Sequence, residues 1–235
     1  MRIIINHGIR IWACAMLILL NIPNLQASKE AWDDCKKDWS KLMNAIHNHK
    51  SNKVNRLIKN GAEVNFYTPQ VYCRWIINPI QVAIRSNNEY AIKALFKTGK
   101  LEVNRRHFEV ACMYTSSVAV DLILSNGMNS EDTLNYGYTM AMRAAESGSI
   151  EVLEALLKYN PDVNQARHRD GVTPLMLAAK TGNSTVVKFL LEKGADKSAK
   201  DIQAKTAYDY IEDIRSSLNI SEKEKNVLKN LLKLE

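Results

Sequence analysis

The sequence predicts an all-α solenoid of about five helix–turn–helix repeats with a cap at each end. Three markers that keep one register predict it. A small residue recurs at Ala45, Ala83, Ala111, Ala144 and Ala178, at spacings of 38, 28, 33 and 34 residues. An apolar pair recurs at Leu57-Ile58, Leu95-Phe96, Ile123-Leu124, Leu156-Leu157 and Leu190-Leu191, with the same spacings. Each pair is followed by Gly61, Gly99, Gly127, Asn160 or Gly194, residue types that tolerate the left-handed conformation that ends a helix. A helix pair of this kind buries its apolar face only against copies of itself, so a period near 33 residues reads as a stack.

Residues 1–27 contain Arg2 and Arg10, no acids, an apolar run from Ile11 to Ile22, and Ala27 at a plausible cleavage point. That pattern is a secretory signal, and the run is short for a bilayer span. Cys14 stands at the start of the run rather than after it, which argues against a lipoprotein. The expected mature chain, 28–235, has no linker and no break in composition and reads as one domain. Removing the leader lowers the formal net charge from +7 to +5. Residues 28–38 are expected to cap the N-terminus around Trp32 and Trp39.

The repeats are expected at about 39–65, 78–104, 107–130, 139–164 and 173–198, with a C-terminal cap over 205–235. The last repeat is the clearest. Thr173 can cap a helix, Pro174 suits its first turn, and Ala178 and Ala179 allow close packing. Gly182 makes the turn; Val186, Val187, Leu190 and Leu191 form a second apolar stripe; Gly194 ends it. The third repeat diverges most, with Thr115 where the fourth and fifth have Gly148 and Gly182. The connection after Asn65 is long and aromatic, whereas Asn104 to Arg106 is too short for a hairpin. The final helix, Ser221 to Leu234, is studded with Lys and Glu, as a terminal cap with a solvated face would be.

Over about residues 39–235 the chain resembles the ankyrin repeat family, most specifically in its fourth and fifth repeats. One departure is consistent. The family's Thr-Pro-Leu-His position is read here as Met43, Gln81, Glu109, Met142 and Met176, so the hydrogen bonds at the helix starts must differ.

No catalytic, metal or cofactor motif is present: the chain has no CxxC, HExxH, GxSxG or phosphate-cradling glycine loop. His47 and His49 lie two apart on a helix and do not share a face. The expectation is therefore a non-enzymatic binding protein, a monomer that needs no cofactor, is not inserted in a membrane after processing, and does not bind nucleic acid. Basic clusters at Arg105-Arg106-His107 and Arg167-His168-Arg169 favour a protein partner with an acidic surface.

The family resemblance implies that binding residues lie on hairpin tips and at the end of each inner helix. Carried over, the candidates are Arg85, Met113, Tyr114 and Lys180 at the helix ends, and Trp75, Tyr136, Tyr138, Arg167, His168 and Arg169 on the tips, with Tyr136, Tyr138 and Arg169 foremost. Small exported ankyrin proteins include immunity proteins that neutralise a toxic enzyme, helpers of periplasmic catalases, and secreted effectors. A chain with a signal and no enzyme module leans toward a periplasmic blocker.

Export implies an oxidising compartment. Of the three cysteines left after processing, Cys35 and Cys73 occupy equivalent places before adjacent inner helices and are expected to pair, leaving Cys112 buried. Asn183 and Asn219 match glycosylation acceptors, which matter only in a eukaryotic secretory route.

Overall fold

A computed structural model of the chain describes residues 40–65, 78–212 and 220–234. The expected leader, N-terminal cap and Cys35–Cys73 pairing, the connection with Tyr67, Tyr72, Arg74 and Trp75, and Asn219 lie outside the described residues. Within the described residues there are α-helices and two short 3-10 turns but no strand, so the predicted all-α class holds. Contacts gather the chain into two compact units, 1–101 and 102–235.

In the first unit, α1 (Lys41–His47) pairs with α2 (Ser51–Lys59), and α3 (Pro79–Arg85) with α4 (Glu89–Lys97). α1 packs on α3 and α2 on α4. Asn78 caps α3 by accepting from the Gln81 N–H while Gln81 accepts from the Asn78 N–H, which satisfies two amides with no helical partner. Leu42, Ile46, Ile80, Ile84, Ile92 and Leu95 make the core. Asn88 joins the two pairs by donating to the Ile46 carbonyl at 2.7 Å.

The second unit repeats the plan: α5 (Arg105–Met113) with α6 (Ser117–Ser125), α7 (Met140–Ser147) with α8 (Ile150–Leu157), and α9 (Pro174–Lys180) with α10 (Ser184–Glu192). The inner helices α5, α7 and α9 pack in sequence, and so do the outer helices α6, α8 and α10. The 3-10 turn Asp209–Ile211 closes against α9, and α11 (Glu222–Leu232) against α10. α11 buries Leu228 and Leu232 under a Ser221–Glu224 capping box and turns most of its charges outward.

The markers behave as their chemistry requires. Ala83, Ala111, Ala144 and Ala178 are fully buried, where any larger side chain would push the pairs apart. Gly61, Gly99, Gly127, Asn160 and Gly194 all have positive φ, at 79°, 65°, 98°, 50° and 88°. The inner turns do as well, and at Thr115 (φ 52°) a β-branched residue takes a conformation that suits glycine.

One expectation is corrected. In the third repeat the helix-start position is held by His107, not Glu109, because α5 begins two residues earlier than counting back from Ala111 suggests. The chain runs from Leu101 straight into the Asn104 cap without a hairpin, and His107 Nδ1 accepts from the Asn104 N–H at 3.1 Å. Asn183 caps α10: its oxygen accepts from the Val186 N–H and its amide donates to the Gly148 carbonyl at 3.1 Å.

Candidate partner-binding face

Three hairpin fingers precede α7, α9 and the turn Asp209–Ile211. The first closes with an isolated bridge between Thr133 and Thr139 and a 2.7 Å hydrogen bond from the Leu134 N–H to the Tyr138 carbonyl; its tip residue Tyr136 has φ 59°. In the second, the Arg167 N–H donates to Val172 (2.8 Å) and the Gly171 N–H to Arg167 (2.7 Å). Asp170-Gly171 is a turn dipeptide, and the glycine supplies φ 72°. In the third, the Asp201 N–H donates to Lys205 at 3.0 Å.

The fingers touch. The Ile202 N–H donates to the Asp170 carbonyl at 3.0 Å, and a Cβ added to Gly171 would lie 3.2 Å from Asp201 Cα. Between the first two fingers the Tyr138 ring lies beside two guanidinium groups, with Arg143 4.4 Å and Arg167 4.7 Å from its centroid. Arg167 grips Asp170 with Nε and Nη2, each at 2.7 Å. That fork holds the Asp170 carboxyl below its ordinary range and raises the guanidinium's own pKa further. Arg143 also pairs with Glu146 at 2.5 Å. Beside the third finger, the Tyr210 hydroxyl donates to Asp201 at 2.7 Å; burial first, and then that bond, push its pKa well up.

The sequence candidates separate on this frame. Tyr136 is 80% exposed, Met113 56% and Tyr114 40%, while His168 and Arg169 are also exposed. Arg167 is not an open tip cation. It is 7% exposed and spent on Asp170 and Tyr138. Tyr138 is half-buried between its two arginines rather than a free anchor, so truncating it disturbs the fingers themselves. Lys180 is half-buried at the end of α9, with Nζ 5.9 Å from the Tyr210 centroid. Arg85 is half-buried at the end of α3 in the first unit. Trp75, Cys35 and Cys73 lie outside the described residues.

The other basic cluster divides. Arg105 and Arg106 line a cleft of about 620 Å³ with Asn126, Met128 and Asp132, whereas His107 is buried in its cap. Burial, helped by Arg106, lowers the His107 pKa to about 4, so it is neutral at pH 7. Cys112 is buried with a free thiol, and burial pushes its pKa far up.

Sequence reasoning missed Arg143, Asp170, Ile202 and Tyr210. Asp170-Gly171 carried a turn signal; the other three have no motif, because Arg143 and Tyr210 meet Tyr138 and Asp201 where a finger folds back on the element after it, and Ile202 meets Asp170 on the neighbouring finger. Among the described residues no group of His, Cys, Asp and Glu could hold a metal ion, and no helix is long and apolar enough to cross a membrane.

Comparison with known proteins agrees with this architecture. Residues 108–201 match the family model for ankyrin repeats in three copies. The chain is 28% identical over 149 residues to an ankyrin repeat protein of fowlpox virus (strain NVSL), covering 59% of this chain and 42% of that one. A second ankyrin repeat protein of the same virus is 28% identical over 177 residues, covering 72% of this chain and 90% of that protein. The mouse B-cell lymphoma 3 protein homolog is 31% identical over 138 residues, covering 54% of this chain and 31% of that protein. The chain thus spans less than half the length of the first and third of these relatives.

Proposed function

From the premise that this chain carries ankyrin repeats, a scaffold for binding other proteins, we propose that it engages one partner protein through the fingers and inner-helix ends of residues 102–212. One observation carries this reading. Tyr136, Met113 and Tyr114 are exposed, beside a frame in which Tyr138, Arg143 and Arg167 are engaged with one another and with Asp170. Tyrosines offer a large contact area on only two χ angles, so covering them costs little entropy for the area gained, and such residues dominate interfaces. The exposed cations Arg169 and Arg105 favour a partner with an acidic surface.

The finer reading is an exported immunity or inhibitor protein that blocks a toxic enzyme stoichiometrically in the periplasm, acting as a monomer. Its support lies in the sequence: the apolar run Ile11 to Ile22 followed by Ala27, and a chain with binding repeats and no catalytic motif. The test is affinity capture from envelope extract with the native chain and with Tyr136→Ala/Met113→Ala. A captured partner that the double variant loses supports the face. Capture unaffected by it refutes the face, and a captured partner without enzymatic activity refutes the inhibitor role.

A further inference from the structure

The Arg167–Asp170 pair joins all three fingers of the second unit. Its guanidinium lies on Tyr138 of the first finger, and its Cγ is 3.6 Å from where a Gly137 Cβ would stand. Its carboxylate belongs to the second finger, and the Asp170 carbonyl receives the Ile202 N–H of the third. Three tips project from this clasp: Tyr136 (80% exposed), Arg169 (side chain 65% exposed) and Ile202 (73% exposed). Arg169 meets Asp170 through Nε alone, at 3.3 Å, so its terminal nitrogens keep their donors. The row reads apolar, cationic, apolar.

Resting on the reading that a protein docks on residues 102–212, we propose that this row takes an extended partner segment bearing an acidic residue flanked by an apolar residue three positions away on each side. The spacing follows from the stack. Fingers step with the elements they lead into: α7 packs on α9, and the turn Asp209–Ile211 packs on α9 in its place in the stack. Packed helices lie about 8–10 Å apart. A polyproline II segment rises about 3.1 Å per residue with three residues per turn, so every third side chain returns to one face after about 9.3 Å. The carboxylate meets the Arg169 fork, and the flanking apolar residues cover Tyr136 and Ile202. A segment already extended loses little entropy on docking. Arg167 is a positioning residue here: it holds the tips at this spacing and does not touch the segment.

The experiment uses fluorescence anisotropy with the full chain and three short labelled peptides. One carries Leu-Pro-Pro-Glu-Pro-Pro-Leu, one replaces its Glu by Lys, and one shortens the period to Leu-Pro-Glu-Pro-Leu. The first should bind at least about tenfold more tightly than the other two. Arg169→Glu should reverse the preference between Glu and Lys. Arg167→Lys, assayed where circular dichroism shows it folded, should erase the preference for period three; a purely structural role would lower its melting temperature and leave that ratio intact. Equal binding of the three peptides, or no binding, overturns the proposal. The broader reading is scored separately. If an envelope partner is lost with Met113→Ala/Tyr114→Ala but not with Arg169→Glu, the binding face stands and the finger-row segment falls.

Discussion

Arg167 and Asp170, three residues apart on one finger, are joined by two parallel hydrogen bonds of 2.7 Å, and the arginine side chain is only 8% exposed. A fork this well sheltered is worth more than a surface ion pair, because removing one partner leaves a desolvated charge without its mate. Asp170→Asn is expected to destabilise the second unit by about 2 kcal/mol in urea unfolding. Since the pair holds the carboxyl below its unfolded value, this contribution is present above the unfolded pKa and lost as pH falls through the folded one. The difference between native protein and variant should therefore shrink in acid. A constant difference down to low pH would mean that the carboxylate charge is not what stabilises the finger.

His107 predicts a loss of stability at higher pH than that. Its folded pKa of about 4 lies below the ordinary 6.5, so on acidification the unfolded chain takes up a proton that the folded chain refuses. Stability should fall between pH 6.5 and 4, by up to about 3 kcal/mol. His107→Gln retains a capping partner, as Gln81 does in α3, and should remove this component of the fall. Melting temperatures at pH 7.5 and 4.5 for both proteins decide it, and equal drops would refute it.

Thr115 is a β-branched residue at φ 52°, where the fourth and fifth repeats place Gly148 and Gly182 at φ 76°. Relieving that conformation with Thr115→Gly should stabilise the second unit by about 1 kcal/mol. A lowered melting temperature would show that the Thr115 side chain contributes more than its backbone costs.

Cys112 is buried and carries no bridge. Its thiol should react with a disulfide reagent only as the protein unfolds, because burial suppresses the thiolate. Cys112→Ser, which buries a hydroxyl, should cost about 1–3 kcal/mol. Rapid labelling at Cys112 in the folded chain, read by peptide mapping, would contradict the placement of α5.

The repeat plan is legible in the sequence because its signals are local. A capping side chain acts within a turn of its helix, as Thr173 does on Met176, and a left-handed stop is a property of one residue, as at Gly194. Helix periodicity likewise places Val186, Val187 and Leu190 on one buried face without reference to the rest of the chain. The tertiary structure decided which tip residues are free. Arg167, His168 and Arg169 are equivalent by composition, yet only Arg167 is drawn inward, because Tyr138 lies 29 positions earlier on the neighbouring finger and Asp170 completes its fork. Tertiary contacts join residues with no fixed spacing, Arg143 with Tyr138, Tyr210 with Lys180 and Ile202 with Asp170, so these residues carried no motif. The register of α5 was likewise set from outside its own pattern: a short connection brought Asn104 to the cap and His107 to the place that counting from Ala111 had assigned to Glu109.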